Sequence, residues 1–483
     1  MAKLSGLEPK KVFEFFEYIN SVPRGSGNTS AVSELCMKFA KERSLTAFKD
    51  KLNNVIIYKP ATPGYENKPA VIIQGHLDMV CAKTAECTKD MATEAIDLNH
   101  DDKYVFADGT TLGGDDGIAI AYALALLDSD DVKHPALECV FTIDEEIGMD
   151  GATGINPALI SGRKLLNIDS EVEGVFTCGC AGGCRLDSEI PVNFETKNGV
   201  LLDIEISGLK GGHSGLEIDK QPASANYQIG RILRELYNRF EFNLYDISGG
   251  KFDNVICERA NATILIDKKD IDTAKEFLAN YDKILKIEYS SVNPDVILKT
   301  SVKDTFSENV KALDNDSTLK VLNAITLSYQ GVIEMSMELK GMVQTSQNIG
   351  VIKLVDNLFK MGFLVRSSIE SQKESALNKI KILIELLGGK IKLFGNYPGW
   401  KFERDSTLRD ICVQAYKDSY GKDPIVDTIH AGLECGIFID KLKGLDAISF
   451  GPNILDIHTP NERLDIASVE RVWKMLLMIL ERC

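Results

Sequence analysis

PAVIIQGHLDMV, residues 69–80, is a near-continuous apolar run that stops abruptly at a glycine, a histidine and an aspartate. An apolar run of strand length without polar alternation describes a strand buried on both faces, as in a parallel or mixed sheet covered by helices. NNVIIY (53–58), LECVFTI (137–143) and RKLLNI (163–168) share that texture. Among them GIAIAYALALLDSDD (117–131) has the length and Ala/Leu content of a buried helix. The pattern predicts an α/β domain whose mixed sheet carries helices on both faces.

Working outward, the texture changes after Gly183. RLDSEIPVNFETKNGVLLDIEISGL (185–209) alternates apolar and polar residues with period two, which predicts antiparallel strands with one wet face. ATILIDKKDIDTAKEFLANYDKILKIEY (262–289) and FLVRSSIESQKESALNKIKILIELLGGKIKLFG (363–395) each read strand, polar turn, helix, strand. They suggest two repeated α+β units. From about Asn396 the α/β texture returns, with helices predicted in STLRDICVQAYKDSYG (406–421) and DIASVERVWKMLLMILERC (465–483) and a buried strand in DAISFG (446–451). The expected organisation is therefore one α/β domain, 1–185 and 396–483, interrupted by an α+β lid, 186–395.

The 483 residues carry 55 Lys and Arg against 71 Asp and Glu, a net charge of −16. Such a chain repels polyanions, and no basic patch offsets this, so nucleic acid is not an expected partner. No apolar stretch is long enough to span a membrane, and the first twenty residues read as a charged amphipathic helix rather than a secretory signal. Eleven scattered cysteines fit reduced thiols in a reducing compartment, which predicts a cytoplasmic protein. Cys178, Cys180 and Cys184 cluster at a spacing that matches no common zinc site and are assigned to structure.

The chemistry collects at strand ends. His76 and Asp78 follow the first run, and Asp115 and Asp116 sit in the glycine turn TTLGGDDG that opens the buried helix. Asp144, Glu145 and Glu146 follow the third run, Asp169 follows the fourth, and His458 lies eight residues beyond DAISF. Each alone reads as a solvated cap or turn. Together they place His, Asp, Glu, Asp and His beyond the carboxyl ends of buried strands or at a helix start, where open α/β sheets build sites. Imidazole and carboxylate donors without cysteine suit zinc, cobalt or manganese. Five ligands exceed one open catalytic zinc; with one carboxylate bridging, two metals each receive three protein ligands. Asp116 is expected to turn away as a helix cap. Phosphate cradles, a G-x-S-x-G elbow and an H-E-x-x-H helix are all missing from the sequence, which disfavours kinases, serine hydrolases and single-zinc proteases.

GHLDMV, TTLGGDDGIA, EEIGMDGATG, NIDSEVEG with CAGG, GLKGGHSG, IHAGLECGIF and FGPNILDIHTP resemble, in order along the whole chain, the M20 family of two-zinc peptidases. The resemblance is to its aminoacyl-histidine (Xaa-His) dipeptidase branch. It implies His76, Asp115 and Asp169 on one zinc ion and Asp115, Glu146 and His458 on the other, with cobalt or manganese able to substitute. It also implies Glu145 as general base, Asp78 orienting His76, His213 on the scissile carbonyl oxygen and Arg366 on the substrate's C-terminal carboxylate. A cis peptide after Asp115 is expected by the same resemblance. The implied substrates are dipeptides, carnosine-like ones included. A tripeptidase, an amidohydrolase or deacylase, and a non-catalytic binding protein on the same scaffold remain alternatives. The resemblance gives His213 to a neighbouring subunit, so a homodimer through the lid stands beside a monomer with a duplicated lid. His430 and Glu434 fall in the returned catalytic segment, as pocket lining or as a structural turn.

Overall fold

The computed structural model describes residues 3–483. After helices α1 (Lys10–Ile19) and α2 (Ser30–Glu42), the chain lays down strands β1 (Thr46–Lys49), β2 (Val55–Lys59) and β3 (Val71–His76). Helix α3 (Gly114–Asp128) and strands β4 (Leu137–Thr142), β5 (Lys164–Asn167) and β6 (Val175–Cys180) follow. As the run of small and branched residues requires, α3 is buried all round from Asp116 to Leu127.

The inserted segment then builds a second unit, residues 180–401 together with 429–432. Its strands are β7 (Gly182–Pro191), β8 (Phe194–Ser207), β9 (Phe242–Gly249), β10 (Ala260–Ile266) and β11 (Ile297–Leu313). They continue as β12 (Gly331–Met335), β13 (Val343–Val355), β14 (Leu358–Ser367) and β15 (Lys390–Tyr397). The helices are α4 (Ala225–Tyr237), α5 (Ile271–Glu288), α6 (Asn315–Leu327) and α7 (Glu370–Leu386). The sheet runs β11-β8-β10-β9-β13-β14-β7-β15, with β12 paired to β13.

That order contains the same topology twice. The segment β8-α4-β9-β10-α5-β11 lies in spatial order 4-1-3-2, a β-α-β-β-α-β unit. The set β7, α6, β13, β14, α7, β15 repeats the order, with the first unit spliced in after β7. The two stretches read as repeats, 262–289 and 363–395, occupy matching places in these halves. Along the sheet the halves pair through Ser248–Lys353 and Gly249–Ile352, on β9 and β13. Just beyond, a Cβ at Gly250 would overlap the Gly350 carbonyl, so the crossing demands glycine.

Strand β8 holds LLDIEISG (201–208), whose alternation of apolar and polar residues is also what an edge strand able to pair with another copy would show. The structure corrects this: β8 is hydrogen-bonded on both sides, to β10 and β11. Alternation reports one wet face, and that is equally true of an interior strand.

Helix α8 (Thr407–Tyr420), β16 (Ile425–Ile429), α9 (Glu434–Lys441), β17 (Asp446–Ser449) and α10 (Ile466–Arg482) then complete the first unit. Its sheet order is β1-β2-β4-β3-β5-β17-β6-β16. The central strands β4, β3, β5 and β17 are parallel, and β1, β2 and β6 run antiparallel to their neighbours. The fold is thus a mixed-sheet α/β unit with an inserted α+β unit. Changeovers fall at 179/180 and 401/402 instead of 185/186 and 395/396, and residues 429–432 join the inserted unit, against the assignment of His430 to the returned segment. The four parallel strands all end on one edge, which sets the site.

Candidate metal centre

His76 is the last residue of β3 and is 1% exposed. Its Nδ1 donates to the Asp78 carbonyl at 3.1 Å and lies 3.5 Å from Asp78 Oδ1, which leaves Nε2 as the free donor atom. Asp78 is wholly buried, and its carboxylate also accepts from Ser26 Oγ at 2.8 Å and from the Glu145 backbone N–H at 3.1 Å. Burial alone would raise its pKa, but His76, Ser26 and the Glu145 amide outweigh this and hold it at about 2. Asp78 therefore fixes both the imidazole and the start of the Glu145–Glu146 turn.

Asp115 is the pivot. Its Oδ1 lies 3.0 Å from His76 Nε2 and its Oδ2 lies 3.1 Å from His458 Nε2, so one carboxylate faces two histidines with different oxygens. His458 Nε2 also meets Glu146 Oε1 at 3.0 Å, and His76 Nε2 stands 3.5 Å from Asp169 Oδ1. Donor atoms of Asp115, Glu146 and His458, of His76, Asp116 and Asp169, and of His76, Glu145 and Glu146 each fall within 4.8 Å of one another. All five sequence-derived ligands thus converge, and the N/O donor set fits two divalent cations sharing Asp115. Charge argues the same way: without cations, burial and the neighbouring carboxylates push Glu145 and Asp169 above the usual carboxylate range.

Asp116 departs from expectation. It caps nothing: its Oδ2 accepts the His76 backbone N–H at 3.2 Å and the residue is 1% exposed. Burial, then the charge of Asp169, pushes its carboxyl well up. The peptide between Asp115 and Asp116 is cis.

Residues 72–482 match the description of peptidase family M20/M25/M40. The cytosol non-specific dipeptidase of Escherichia coli (strain K12) is 36% identical, covering 100% of this chain and 99% of that protein. The chain belongs to peptidase family M20. Among solved structures, the aminoacylhistidine dipeptidase from Vibrio alginolyticus superposes with a TM-score of 0.93 at 34% identity, covering 99% of this chain and 98% of that one. An aminopeptidase from Bacillus cereus, 14% identical with a TM-score of 0.57 over 98% of each chain, shares the fold.

Two residues of this M20 chain that sequence reasoning missed hold the Asp115 turn. Glu462, 2% exposed, accepts the backbone N–H groups of Leu112 (2.8 Å), Gly113 (2.9 Å), Gly114 (2.7 Å) and Asp115 (3.3 Å). It stands four residues after His458, and that spacing was the only available signal. Arg24, equally buried, donates to the carbonyls of Leu77 (3.0 Å), Asp78 (3.1 Å) and Gly113, and to Asn20 Oδ1 (2.9 Å). A Cβ at Gly113, where φ is +65°, would overlap the Arg24 guanidinium, which explains the first glycine of TTLGGDDG.

The inserted unit gathers a separate donor cluster. His213 Nδ1 accepts from the amides of Gly215 (3.3 Å) and Leu216 (3.2 Å), so the ring proton sits on Nε2. Burial and the nearby Arg366 guanidinium push His213 down to about 4, which keeps the ring neutral. Its Nε2–H then faces Arg366 Nη2 at 3.3 Å, donor against donor, and the buried Arg366 Nε has no partner. Such convergence asks for an oxygen acceptor. Tyr397 Oη accepts from Arg366 Nη1 at 2.9 Å, and His430 Nε2 meets Ser346 Oγ at 2.7 Å within the same unit.

Replacing Glu462 by Gln puts an amide NH2 against backbone donors that a carboxylate now satisfies. We expect about 2 kcal/mol lost in denaturant unfolding of the metal-free protein, the scale of a buried charged hydrogen-bond acceptor. Weakened metal affinity should accompany it. Unchanged values for both would remove Glu462 from the support of Asp115.

Proposed function

We propose that this M20 chain is a cytosolic metallo-dipeptidase that hydrolyses short peptides, with Xaa-His (carnosine-like) dipeptides among its substrates. The observation that carries the reading is the Asp115 carboxylate, aimed at His76 with one oxygen and at His458 with the other. In this reading His76 and Asp169 complete one cation position, and Glu146 and His458 complete the second. Zinc suits the donors, with cobalt or manganese as substitutes. The names of the Escherichia coli and Vibrio alginolyticus relatives support dipeptide substrates.

When bound, the two cations lower the pKa of a water and polarise the peptide carbonyl. Glu145 is the general base: its amide is tied to Asp78, and its half-buried carboxyl takes the water proton and passes it to the leaving amine. Asp78 keeps His76 presenting Nε2. His213, neutral with its proton on Nε2, donates to the carbonyl oxygen as negative charge develops there. Arg366 receives the free carboxylate of the substrate with the fork geometry a carboxylate matches. His213 belongs to the first lid repeat and Arg366 to the second, so this donor pair is complete within one chain. That favours the duplicated-lid monomer over a homodimer that exchanges His213.

Four experiments test the reading. Elemental analysis of carefully prepared protein should give about two divalent ions per chain, and chelation should abolish dipeptide hydrolysis until zinc, cobalt or manganese is returned. A substrate panel that is cleaved only as tripeptides or N-acyl amino acids would redirect the assignment to those chemistries. Glu145→Gln should keep metal and fold while kcat falls about a hundred- to ten-thousandfold; a loss under about tenfold would place the base elsewhere. Finally, mixing His213→Ala with Glu145→Gln protein should restore no activity. Recovery on mixing would show that His213 serves a second copy.

A further inference from the structure

Glu434 opens α9 and has no exposed surface. Its Oε2 accepts from Gln74 Nε2 at 2.6 Å and from Thr142 Oγ1 at 2.6 Å. Gln74 Oε1 in turn accepts from Asn167 Nδ2 at 2.6 Å. The three donors come from β3, β4 and β5, the strands that end at His76, at the Glu145 turn and at Asp169. Gln74 stands two positions before His76 on β3 and so shares its face of the strand, and Asn167 ends β5 two residues before Asp169. Glu434 is therefore locked one layer beneath the candidate metal centre.

Its other oxygen has nothing to bind. Oε1 is buried and has no hydrogen-bond partner, although a carboxylate carries more acceptor capacity than two donors fill. Glutamine would accept the same two hydrogen bonds without adding an acid to a nest of acids. The Glu434 charge weighs on Glu145 ahead of the adjacent Glu146. Burial, then Asp169 and Asp78 against the relief of His76 and Thr142, pushes Glu434 up to about 7. A bare carboxyl oxygen at that depth, among other acids, calls for a cationic donor. Among the described residues, Glu434 belongs to none of the groupings able to hold a metal ion. The missing partner must bring both positive charge and an N–H donor beside the general base.

A dipeptide carries such a group next to its scissile carbonyl. We infer that Glu434 Oε1 receives the α-ammonium group of the substrate's N-terminal residue and restricts hydrolysis to peptides whose amino terminus is free. The inference rests on the dipeptidase reading and makes Glu434 a specificity-determining residue rather than part of the proton transfer. A primary ammonium also returns Glu434 to its charged form, so recognition and ionisation reinforce each other.

The test compares alanyl-alanine with its des-amino analogue, propionyl-alanine, on wild-type and Glu434→Gln holoenzyme whose metal content has been matched by elemental analysis. Wild type should favour the amine-bearing substrate in kcat/KM by about a hundredfold, and Glu434→Gln should reduce that preference to within about threefold. The loss should appear mainly as a KM for alanyl-alanine raised about tenfold or more, with the des-amino substrate little affected. Glu434→Asp, which keeps charge on a shorter arm, should fall between the two. If Glu434→Gln loses equally on both substrates, or keeps the wild-type preference, Glu434 does not read the amine and the inference fails. A wild type that cleaves no dipeptide overturns the dipeptidase reading instead. In that case, calorimetric affinity for phosphinic analogues of the two compounds decides Glu434: equal affinities in wild type overturn the inference, and an amine preference lost in Glu434→Gln sustains it.

Discussion

The Glu462 carboxylate is the contact on which the centre depends. It collects four consecutive backbone N–H groups, Leu112 to Asp115, and thereby fixes the turn that presents Asp115. Four residues earlier in its own chain stands His458, which meets the second oxygen of Asp115. One side chain thus pins the end of the chain to a turn laid down some 350 residues before, across the whole insertion. Arg24 closes the turn from the other side by taking the Gly113 carbonyl. A buried anion on amides and a buried cation on carbonyls leave the Asp115 loop few arrangements.

Rigidity is needed because the centre is electrostatically unfavourable by itself. Asp115, Asp116, Glu145, Asp169 and Glu434 are brought together out of water, and burial works against the charge of each. Asp144, just before the Glu145–Glu146 turn, and His458 both adopt left-handed backbone, with φ of +56° and +61°. Such conformations in non-glycine residues persist only where surrounding contacts dictate them. Asp144 shows one such contact, accepting the Gly27 amide at 2.6 Å. The scaffold holds carboxylates close enough to serve cations, and the cations in turn relieve the repulsion that the scaffold imposes.

The legible part of this molecule is the part encoded locally. Four of the candidate ligands follow an apolar run and Asp115 stands in the turn that opens one, so one-dimensional reading picked out His76, Asp115, Glu146, Asp169 and His458, and the strand texture located β3, β4, β5 and β17. What escaped is set by pairing at a distance. Glu462 looks like any surface acid until the Leu112–Asp115 amides are seen to close on it. Asp116 has the sequence of a helix cap, yet the turn rotates it to the His76 amide. Period-two alternation in β8 described a wet face and was silent on whether the strand had one neighbour or two. His430 was placed with the returning segment because it lies beyond residue 396 in sequence; the Ala181 amide, which donates to the Ile429 and Ala431 carbonyls, ties residues 429–432 to the inserted unit.

The duplicated topology of the inserted unit bears on how the chain completes its donor set. In a β-α-β-β-α-β unit the two outer strands leave edges, and two such units can merge by placing like edges together, here β9 against β13. Two separate chains could form that junction across a twofold axis. Two halves of one chain form it here without the translational and rotational entropy loss of association. The splice after β7 makes this feasible, because the first repeat is completed before the second resumes at α6. The consequence is visible in one contact: His213 from the connection between β8 and α4 reaches Arg366 on β14, one donor from each repeat. A gene that encodes both halves can let them diverge, and these halves have, since only the second carries β12 and only the second presents an arginine at that place. Each half therefore supplies a different side chain to that contact, and one chain holds both.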